Sequence, residues 1–223
     1  MFNKKFNLDR FDKRNIFLSN LESSERILDV GCGAGGNVRM IRSHYPNCTI
    51  SCIDLKDFLF DDSVDHKIHN LENDENMPFD DGVFDAIMIT HVVEHLSEQA
   101  LERLGDEIDR LLKVNGQVYV EAPNWTSMFI PSIGINREES GTINFFDDFT
   151  HKIPFTQQKM YHFIRVLSHM GIVKVGAKIN YHSYIFDIFR VLIALLGRRR
   201  SYFLRSFANI VGFSVYGYGK KTE

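Results

Sequence analysis

Short apolar runs that alternate with segments of helical periodicity are the feature that most constrains the fold of this 223-residue chain. The runs are four to six residues long and partly β-branched, which is typical of strands buried in a parallel sheet. They occupy 26–30, 49–53, 66–69, 85–90 and 117–122. The clearest helical segment is 97–113, where apolar residues recur at helical spacing behind Ser97 as an N-cap. This order predicts a doubly wound α/β sandwich whose ligand binds beyond the carboxyl ends of the strands.

Composition excludes several classes of protein. Hydrophobic residues make up 44% of the chain and charged residues 25%, which is typical of a folded protein and excludes a disordered one. The cysteines are only three, Cys32, Cys48 and Cys52, and no apolar targeting segment follows the polar start, which argues against a disulfide-rich secreted protein. We predict one cytoplasmic domain over residues 1–223, with its core at about 20–180.

After Asn124 the alternation weakens, and the remaining elements are predicted individually. The sequence predicts a loop at 125–153, a helix at 156–170 capped by Thr156, a strand at 171–179 and a last strand at 212–219. The residues between these two strands, about 181–211, are predicted to form a mostly helical insert.

The net charge changes sign between the body of the chain and the segment that contains the insert. Residues 1–180 carry 19 Lys/Arg against 27 Asp/Glu (−8), whereas residues 181–223 carry 7 against 2 (+5). The acidic body argues against a nucleic-acid partner. Asp187 and Arg190 interrupt the apolar part of the insert, which is too short to span a membrane because a span needs ~20 residues. Three interpretations stay open: peripheral contact of Arg198, Arg199, Arg200 and Arg205 with the inner face of a membrane, a lid over a phosphorylated substrate, or a helical pair on the sheet edge or in a homodimer.

A glycine-rich turn follows the first predicted strand. Gly31, Gly33 and Gly35 allow the backbone to approach a ligand closely, and the amides at the start of the next helix favour a carboxylate or phosphate. Asp54 ends the second predicted strand, 23 residues after Gly31, where a carboxylate can accept hydrogen bonds from two ribose hydroxyls. The pairing predicts a nucleoside cofactor, although Gly31-x-Gly33-x-x-Gly36 alone also fits a dinucleotide fingerprint.

The wider context resembles the class I S-adenosylmethionine-dependent methyltransferases, of the type 11 kind. The resemblance rests on the run from Asp29 to Gly35, on Asp54, and on three further segments: MPFDDGVFDAIMITHVVEHL (77–96), LLKVNGQVYVEAPN (111–124) and FTHKIPFT (149–156). It covers roughly residues 26–175. It implies a Rossmann-like, mostly parallel seven-stranded sheet with helices on both faces, and S-adenosyl-L-methionine as the cofactor.

The resemblance also implies a set of cofactor-binding residues. Asp29 would interact with the amino-acid end of the cofactor, the glycine-loop amides would pass close to it, and Asp54 would hold the ribose with Leu55 against the adenine. For the contact with the adenine amino group we predict Asn70 and Leu71, while Asn73 or Asp74 fits if counted back from Met77. The full predicted set is Asp29, Gly31, Cys32, Gly33, Gly35, Asp54, Leu55, Asn70, Leu71 and Thr90.

The segment His91-x-x-Glu94-His95 follows the fourth predicted strand, and its three side chains are expected on one helical face. The same spacing occurs in a family of zinc peptidases. It also resembles the segment with which ubiquinone-type O-methyltransferases hold a divalent cation, but His91 stands where they have an acidic residue, and Mg²⁺ prefers oxygen ligands. The remaining interpretations are framework hydrogen bonding and direct action of His91 at the floor of the site. We predict no metal site.

A hydroxyl acceptor requires a general base, and histidine titrates in the right range at cytoplasmic pH. We predict His151, His91 and Asp147 as catalytic residues, because Asp147 and Asp148 can orient His151 just before the helix that begins at Thr156. Glu121, Asn124 and Trp125 are expected to line the acceptor pocket.

The predicted function is O-methylation of a saccharide or other small hydroxylated metabolite, because FTHKIPFT and the final GFSVYGYGKK resemble methyltransferases of bacterial polysaccharide and lipopolysaccharide biosynthesis. The acceptor would be a small molecule or a carrier-linked saccharide. The alternatives are methylation of a quinone-like or aromatic intermediate, a cofactor-binding scaffold protein without catalysis, and a dinucleotide oxidoreductase.

Overall fold

One seven-stranded sheet organises the molecule. The computed structural model describes residues 12–21, 26–57, 63–130, 144–179, 186–192 and 200–223. The strands are β1 (Arg26–Val30), β2 (Thr49–Asp54), β3 (Asp65–Ile68), β4 (Phe84–Thr90), β5 (Leu112–Pro123), β6 (Ile172–Ala177) and β7 (Ser214–Lys220). Their spatial order is β3-β2-β1-β4-β5-β7-β6, and β7 runs in the opposite direction to the other six strands. The predicted Rossmann-like, mostly parallel sheet is confirmed.

Helices connect the strands and cover both faces of the sheet. They are α1 (Lys13–Ser19), α2 (Gly36–His44), α3 (Glu98–Leu111), α4 (Gln157–His162), α5 (186–192) and α6 (Arg200–Val211). Short 3-10 turns lie at Val93–His95, Trp125–Phe129 and Phe145–Asp147, and one π turn lies at Phe163–Leu167. Ser97 and Thr156 cap α3 and α4 as predicted, each accepting a backbone N–H three residues later.

Two predicted helices end earlier in the structure, and the strand predicted at 117–122 begins earlier, at Leu112. The helix predicted at 97–113 ends at Leu111, because β5 starts at Leu112 and is hydrogen-bonded to β4 there, opposite Phe84. The helix predicted at 156–170 is regular only to His162; it then widens into the π turn, where the Ser168 backbone and hydroxyl both donate to the Phe163 carbonyl. The predicted loop at 125–153 contains two of the 3-10 turns.

The strand order brings three loops together. β1 pairs with β2 on one side and with β4 on the other, so that Val30 lies between Ile53 and Ile89 in register. The chain winds outward from β1 to β2 and β3 and then returns to β4, which makes the gap between β1 and β4 the switch point of the sheet. The segments that leave β1, β2 and β4 therefore meet at the carboxyl edge.

Alternating side chains of the central strands build a core on each face. In β4, Ile87 and Ile89 pack in the cluster that contains α3, whereas Ala86 and Met88 pack in the cluster that contains residues of α1 and α2. This burial on both faces fixes the register of the strands, because a shift by one residue would exchange the two sets.

The described part of the insert forms a helical pair. Asp187 of α5 is buried and accepts hydrogen bonds from Ser206 Oγ (3.0 Å) and Asn209 Nδ2 (2.6 Å) of α6, and it pairs with Arg190. None of the helices within the described ranges is long and apolar enough to cross a bilayer. Arg198 and Arg199, and the side chains of Arg200 and Arg205, lie outside the described residues. Membrane contact and homodimer formation through the insert therefore stay predictions.

Candidate active site

The glycine loop after β1 adopts a conformation that side chains would disfavour. Gly31, Gly33 and Gly35 have φ values of +74°, +47° and +73°, in the left-handed region. A Cβ on Gly31 would overlap the Val92 side chain, so the loop lies directly against the segment after β4. Gly35 is the N-cap of α2. The glycines thus allow the loop to turn sharply and to leave its backbone close to the switch point.

Asp54 ties this loop to the end of β2. Its Oδ2 accepts a hydrogen bond from the Gly33 amide at 2.9 Å, and its Oδ1 accepts a longer one from the Lys56 amide at 3.3 Å. The Gly31 amide donates to the Ile53 carbonyl at 2.8 Å. Because each carboxylate oxygen has more than one lone pair, the half-buried Asp54 can still accept hydrogen bonds from a ligand.

A buried polar network lies beneath the loop. Asn37 of α2 donates its Nδ2 hydrogens to Asp29 Oδ1 at 2.9 Å and to Thr90 Oγ1 at 2.8 Å. Asp29 Oδ2 is buried and has no hydrogen-bond partner among the described residues. Burial disfavours the charged carboxylate and raises the pKa of Asp29 to about 7, although the hydrogen bond from Asn37 opposes the shift. An ammonium group or other donor on a ligand would satisfy the free oxygen.

A cavity of about 300 Å³ opens between these loops. Five of the predicted cofactor residues line it: Gly31, Asp54, Leu55, Asn70 and Leu71. The apolar side chain of Leu55 is 58% exposed there. The other lining residues are Ile53, His69, Glu72, His91, Val92, His95 and Leu96. The rest of the predicted set, namely Asp29, Cys32, Gly33, Gly35 and Thr90, is not part of the lining and belongs to the loop or to the layer beneath it.

The structure separates the two placements considered for the adenine contact. Asn70 and Leu71 line the cavity, whereas Asn73 and Asp74 do not. The Asp74 carboxylate instead accepts a hydrogen bond from the Asn70 amide at 2.7 Å and lies 3.5 Å from His69 Nδ1. Asp74 therefore shapes the turn that presents Asn70.

His91 lies at the wall of the cavity between two carboxylates. Its Nδ1 is 3.2 Å from Glu94 Oε1 and its Nε2 is 3.8 Å from Glu121 Oε1, and 44% of its side chain is exposed. Its backbone φ of +57° turns the chain out of β4. Burial lowers the pKa of His91, but the hydrogen bond to Glu94 and the charges of both carboxylates outweigh it and raise the pKa. The site can therefore stabilise an imidazolium.

The expectation that His91, Glu94 and His95 share one helical face is wrong. Only Val93–His95 forms a helical turn, and it is a single 3-10 turn, because the left-handed backbone at His91 breaks the helical path. His91 faces Glu94, whereas His95 contacts Thr150 and lies beside His151, with ring centroids 4.8 Å apart and the rings tilted by 47°.

The remaining acceptor-side predictions are placed as follows. Glu121 is buried, and its Oε1 lies 2.7 Å from Lys178 Nζ. Burial raises the pKa of Glu121, but the charges of Lys178, His91 and Arg14 outweigh burial and lower the pKa. The charged carboxylate is therefore favoured. Asn124 is buried and donates to the Gly212 carbonyl, while Trp125 is 43% exposed. Asp147 and His151 do not line the cavity. Their predicted catalytic roles remain predictions.

Comparison with known proteins shows what the segment that carries this site is similar to. Residues 28–120, from β1 to β5, match the family described as a methyltransferase domain. Two curated methyltransferases are similar to this chain in sequence. The malonyl-[acyl-carrier protein] O-methyltransferase of Geobacter sulfurreducens is 31% identical over 45% of this chain and 39% of its own length. The sarcosine/dimethylglycine N-methyltransferase of Halorhodospira halochloris is 27% identical over 57% of this chain and 55% of its own.

A solved structure extends the likeness in fold to nearly the whole chain. The crystal structure of a SAM dependent methyltransferase from Archaeoglobus fulgidus has a TM-score of 0.59 and 18% identity, and the match covers 96% of this chain and 97% of that one. This likeness supports the fold, including the strands β6 and β7 beyond the family match. The chain spans 39% and 55% of the two curated relatives, which differ in what their names say they methylate.

Two features of the candidate site were not predicted from the sequence. Asn37 lies on α2 one residue beyond Gly36, and only the fold shows that it bridges Asp29 and Thr90. The approach of His151 to His95 depends on the return of the chain before α4, which no local pattern encodes. A signal for Asn37 did exist: a polar residue in the first turn of a helix, behind the glycine loop, is placed to bond to the strand that precedes it.

Proposed function

We propose that the protein is an S-adenosylmethionine-dependent methyltransferase that methylates an oxygen of a saccharide or another small hydroxylated metabolite. The observation that carries the proposal is His91, which stands between Glu94 and Glu121 at the wall of the cavity formed by the glycine loop and Asp54. This arrangement combines a nucleoside-binding loop with a group that can take a proton.

The residues that line the cavity, together with Asp29 beneath it, fit the cofactor. Asp54 would accept hydrogen bonds from the ribose, Leu55 and Leu71 would pack against the adenine, and the free oxygen of Asp29 would face the ammonium of the amino-acid end. The turn held by Asp74 presents Asn70 for the polar edge of the base. When bound, S-adenosylmethionine supplies an electrophilic methyl group on a sulfonium sulfur.

The chain itself supplies positioning and a base. An in-line displacement depends strongly on holding the acceptor close and aligned. His91 accepts the proton of the acceptor hydroxyl, and Glu94 and Glu121 stabilise the imidazolium that forms, as a carboxylate does for the histidine of a catalytic triad. Of the three predicted catalytic residues, His91 is the one that lines the cavity, so we assign it this role.

The acceptor class is the open part of the proposal. Because an alcohol is a weak acid, it needs a base such as His91, which favours a hydroxyl acceptor. A second candidate, a quinone-like or aromatic intermediate, is favoured by four exposed aromatic side chains after β5 and before α4: Trp125, Phe129, Phe146 and Phe149. One relative is named for O-methylation and the other for N-methylation, so relatives do not choose between acceptors.

Transfer of a labelled methyl group tests the function and the acceptor class together. The full chain is incubated with S-adenosylmethionine labelled in its methyl group and with three acceptor panels: nucleotide sugars and free saccharides, phenols and quinols, and amines. We expect label in a hydroxylated saccharide together with S-adenosylhomocysteine. Label confined to the phenolic panel would replace the saccharide with the second candidate, and label confined to amines would contradict O-methylation.

The pKa of Asp29 predicts a pH dependence of cofactor binding. Because its pKa of about 7 exceeds that of a free aspartate, much of Asp29 is protonated at neutral pH, and binding of an ammonium requires the proton to leave. The affinity for S-adenosylhomocysteine should therefore fall roughly tenfold between pH 8 and pH 6. Isothermal titration across this range measures it, and Asp29→Asn is the matched control that should remove the slope attributable to Asp29. An unchanged slope in Asp29→Asn would contradict the role of Asp29.

A further inference from the structure

We propose that Glu94, His95 and His151 bind one divalent first-row transition metal ion, for which Zn²⁺ is the probe, at the border of the cofactor cavity. One potential ligand atom from each residue lies within 4.8 Å of the other two. Glu94 and His95 lie in the 3-10 turn after β4, whereas His151 comes from the segment before α4. The sequence analysis predicted no metal site, and the fold brings His151 to Glu94 and His95 as a third potential ligand.

The hydrogen bonds of His151 leave its Nε2 available as a ligand. His151 Nδ1 lies 2.7 Å from the Phe145 carbonyl oxygen. A carbonyl can only accept, so Nδ1 carries the proton and the neutral ring has its lone pair on Nε2. The nearest carboxylate oxygen, Asp148 Oδ2, is 3.9 Å from Nε2, too far for a hydrogen bond.

The hydrogen bonds of Thr150 determine which ring nitrogen of His95 carries the proton. The Thr150 hydroxyl donates its single proton to Asp148 Oδ1 at 2.6 Å. It must therefore accept at its other contact, which is His95 Nδ1 at 2.9 Å. His95 thus carries its proton on Nδ1 and presents a lone pair on Nε2. Metal-binding histidines characteristically donate their second ring N–H to a carbonyl or to a carboxylate system in this way.

Glu94 provides an anionic oxygen. The residue is fully buried, its Oε1 contacts His91, and its Oε2 has no hydrogen-bond partner among the described residues. An unsatisfied buried carboxylate oxygen is costly, and a cation would relieve that cost. The backbone carbonyl of Glu94 accepts from the amides of Lys152 and Ile153, which holds the segment with His151 against the turn.

The donor set selects the class of ion. Two imidazoles and one carboxylate are the ligands of catalytic zinc sites and of other first-row transition metals, whereas Mg²⁺ and Ca²⁺ prefer oxygen alone. Ligand atoms in a tetrahedral zinc site are ~3.4 Å apart, as follows from Zn–N distances of ~2.1 Å. The potential ligand atoms of Glu94, His95 and His151 lie within 4.8 Å of one another, which exceeds the tetrahedral spacing by at most roughly 1.5 Å. Small adjustments of the three side chains that keep the Nδ1 hydrogen bonds would bring the ligand atoms to this spacing.

Such an ion would have a role in the proposed reaction. His95 lines the cavity, so an ion held by it would lie near the acceptor, and a bound metal would lower the pKa of an acceptor hydroxyl that it coordinates. His91 would then remove the proton from a more acidic group. This role rests on the proposed methyl transfer, but the metal site itself does not.

Calorimetric titration of the chelator-treated full chain with Zn²⁺, without cofactor or acceptor, tests the site. We expect one Zn²⁺ per chain, and at least a ~30-fold loss of affinity in His151→Asn and in Glu94→Gln. The matched control is His162→Asn, an exposed histidine of α4, which should bind as the unmodified chain does. Co²⁺ in place of Zn²⁺ should give visible absorption bands that His151→Asn abolishes.

A variant at a residue that is not a ligand distinguishes loss of metal binding from loss of folding. Thr150→Val removes the acceptor of the His95 Nδ1 proton at an exposed position, and it should weaken Zn²⁺ binding roughly 10-fold or more. Equal affinity in the unmodified chain, His151→Asn and Thr150→Val would overturn the proposal, as would the absence of binding at about 100 µM Zn²⁺. Since no cofactor is present, neither result depends on whether the protein transfers methyl groups.

Discussion

Asp54→Ala is expected to weaken binding of S-adenosylmethionine at least ~10-fold, equivalent to about 1.5 kcal/mol. The carboxylate has two functions that alanine cannot replace. It holds the glycine loop through the Gly33 amide, and it would accept the ribose hydroxyls within the cavity. Isothermal titration with S-adenosylhomocysteine measures the loss.

Two further variants test the role of Asp54: a control at a neighbouring carboxylate, and a substitution that removes only the charge. Asp57→Ala removes a carboxylate three residues away, which is 46% exposed and contacts His66, and the affinity should stay within about threefold. Asp54→Asn keeps an oxygen for the Gly33 amide but loses the charge, so an intermediate loss is expected. Unchanged affinity in Asp54→Ala, with a folded chain, would show that the nucleoside does not bind at Asp54.

His91→Asn is expected to lower turnover about 100-fold while leaving the affinity for S-adenosylhomocysteine within about threefold. Asparagine is the suitable replacement because it tolerates the left-handed backbone at this position, where φ is +57°. The loss follows from removal of the group that accepts the proton of the acceptor hydroxyl. Single-turnover transfer of a labelled methyl group to the acceptor found in the panel measures it.

The control for His91→Asn is His162→Asn, which changes an exposed histidine of α4 and should retain full turnover. A parallel loss of cofactor affinity in His91→Asn would instead point to a disturbed cavity wall. Full turnover in His91→Asn would contradict its role as the base, and catalysis would then depend on positioning alone.

The fold could be predicted where the chain encodes it locally. β1, β2 and β4 are short apolar runs, and Ser97 and Thr156 cap their helices with their own side chains. The errors arose where helical periodicity does not show that a regular helix has ended. The π turn after His162 depends on Ser168 reaching back to Phe163, which helical periodicity does not distinguish from a regular turn.

The placement of the glycine loop and Asp54 beside the cavity could also be predicted, because glycines and Asp54 stand at fixed spacings along neighbouring strands. The acceptor side could not. His91 was expected on a helix with Glu94 and His95, yet its left-handed backbone places His91 and His95 in different surroundings. The contact between His95 and His151 joins segments that are distant in the chain, so it depends on the packed structure.

The central claim is that the cavity between β1, β2 and β4 binds S-adenosylmethionine. Calorimetric titration of the full chain with S-adenosylmethionine and S-adenosylhomocysteine, with NAD as the control, tests it most directly. The account predicts micromolar binding of both sulfur compounds at one site per chain and no binding of NAD. A folded chain that binds neither sulfur compound, or that binds NAD instead, would contradict it.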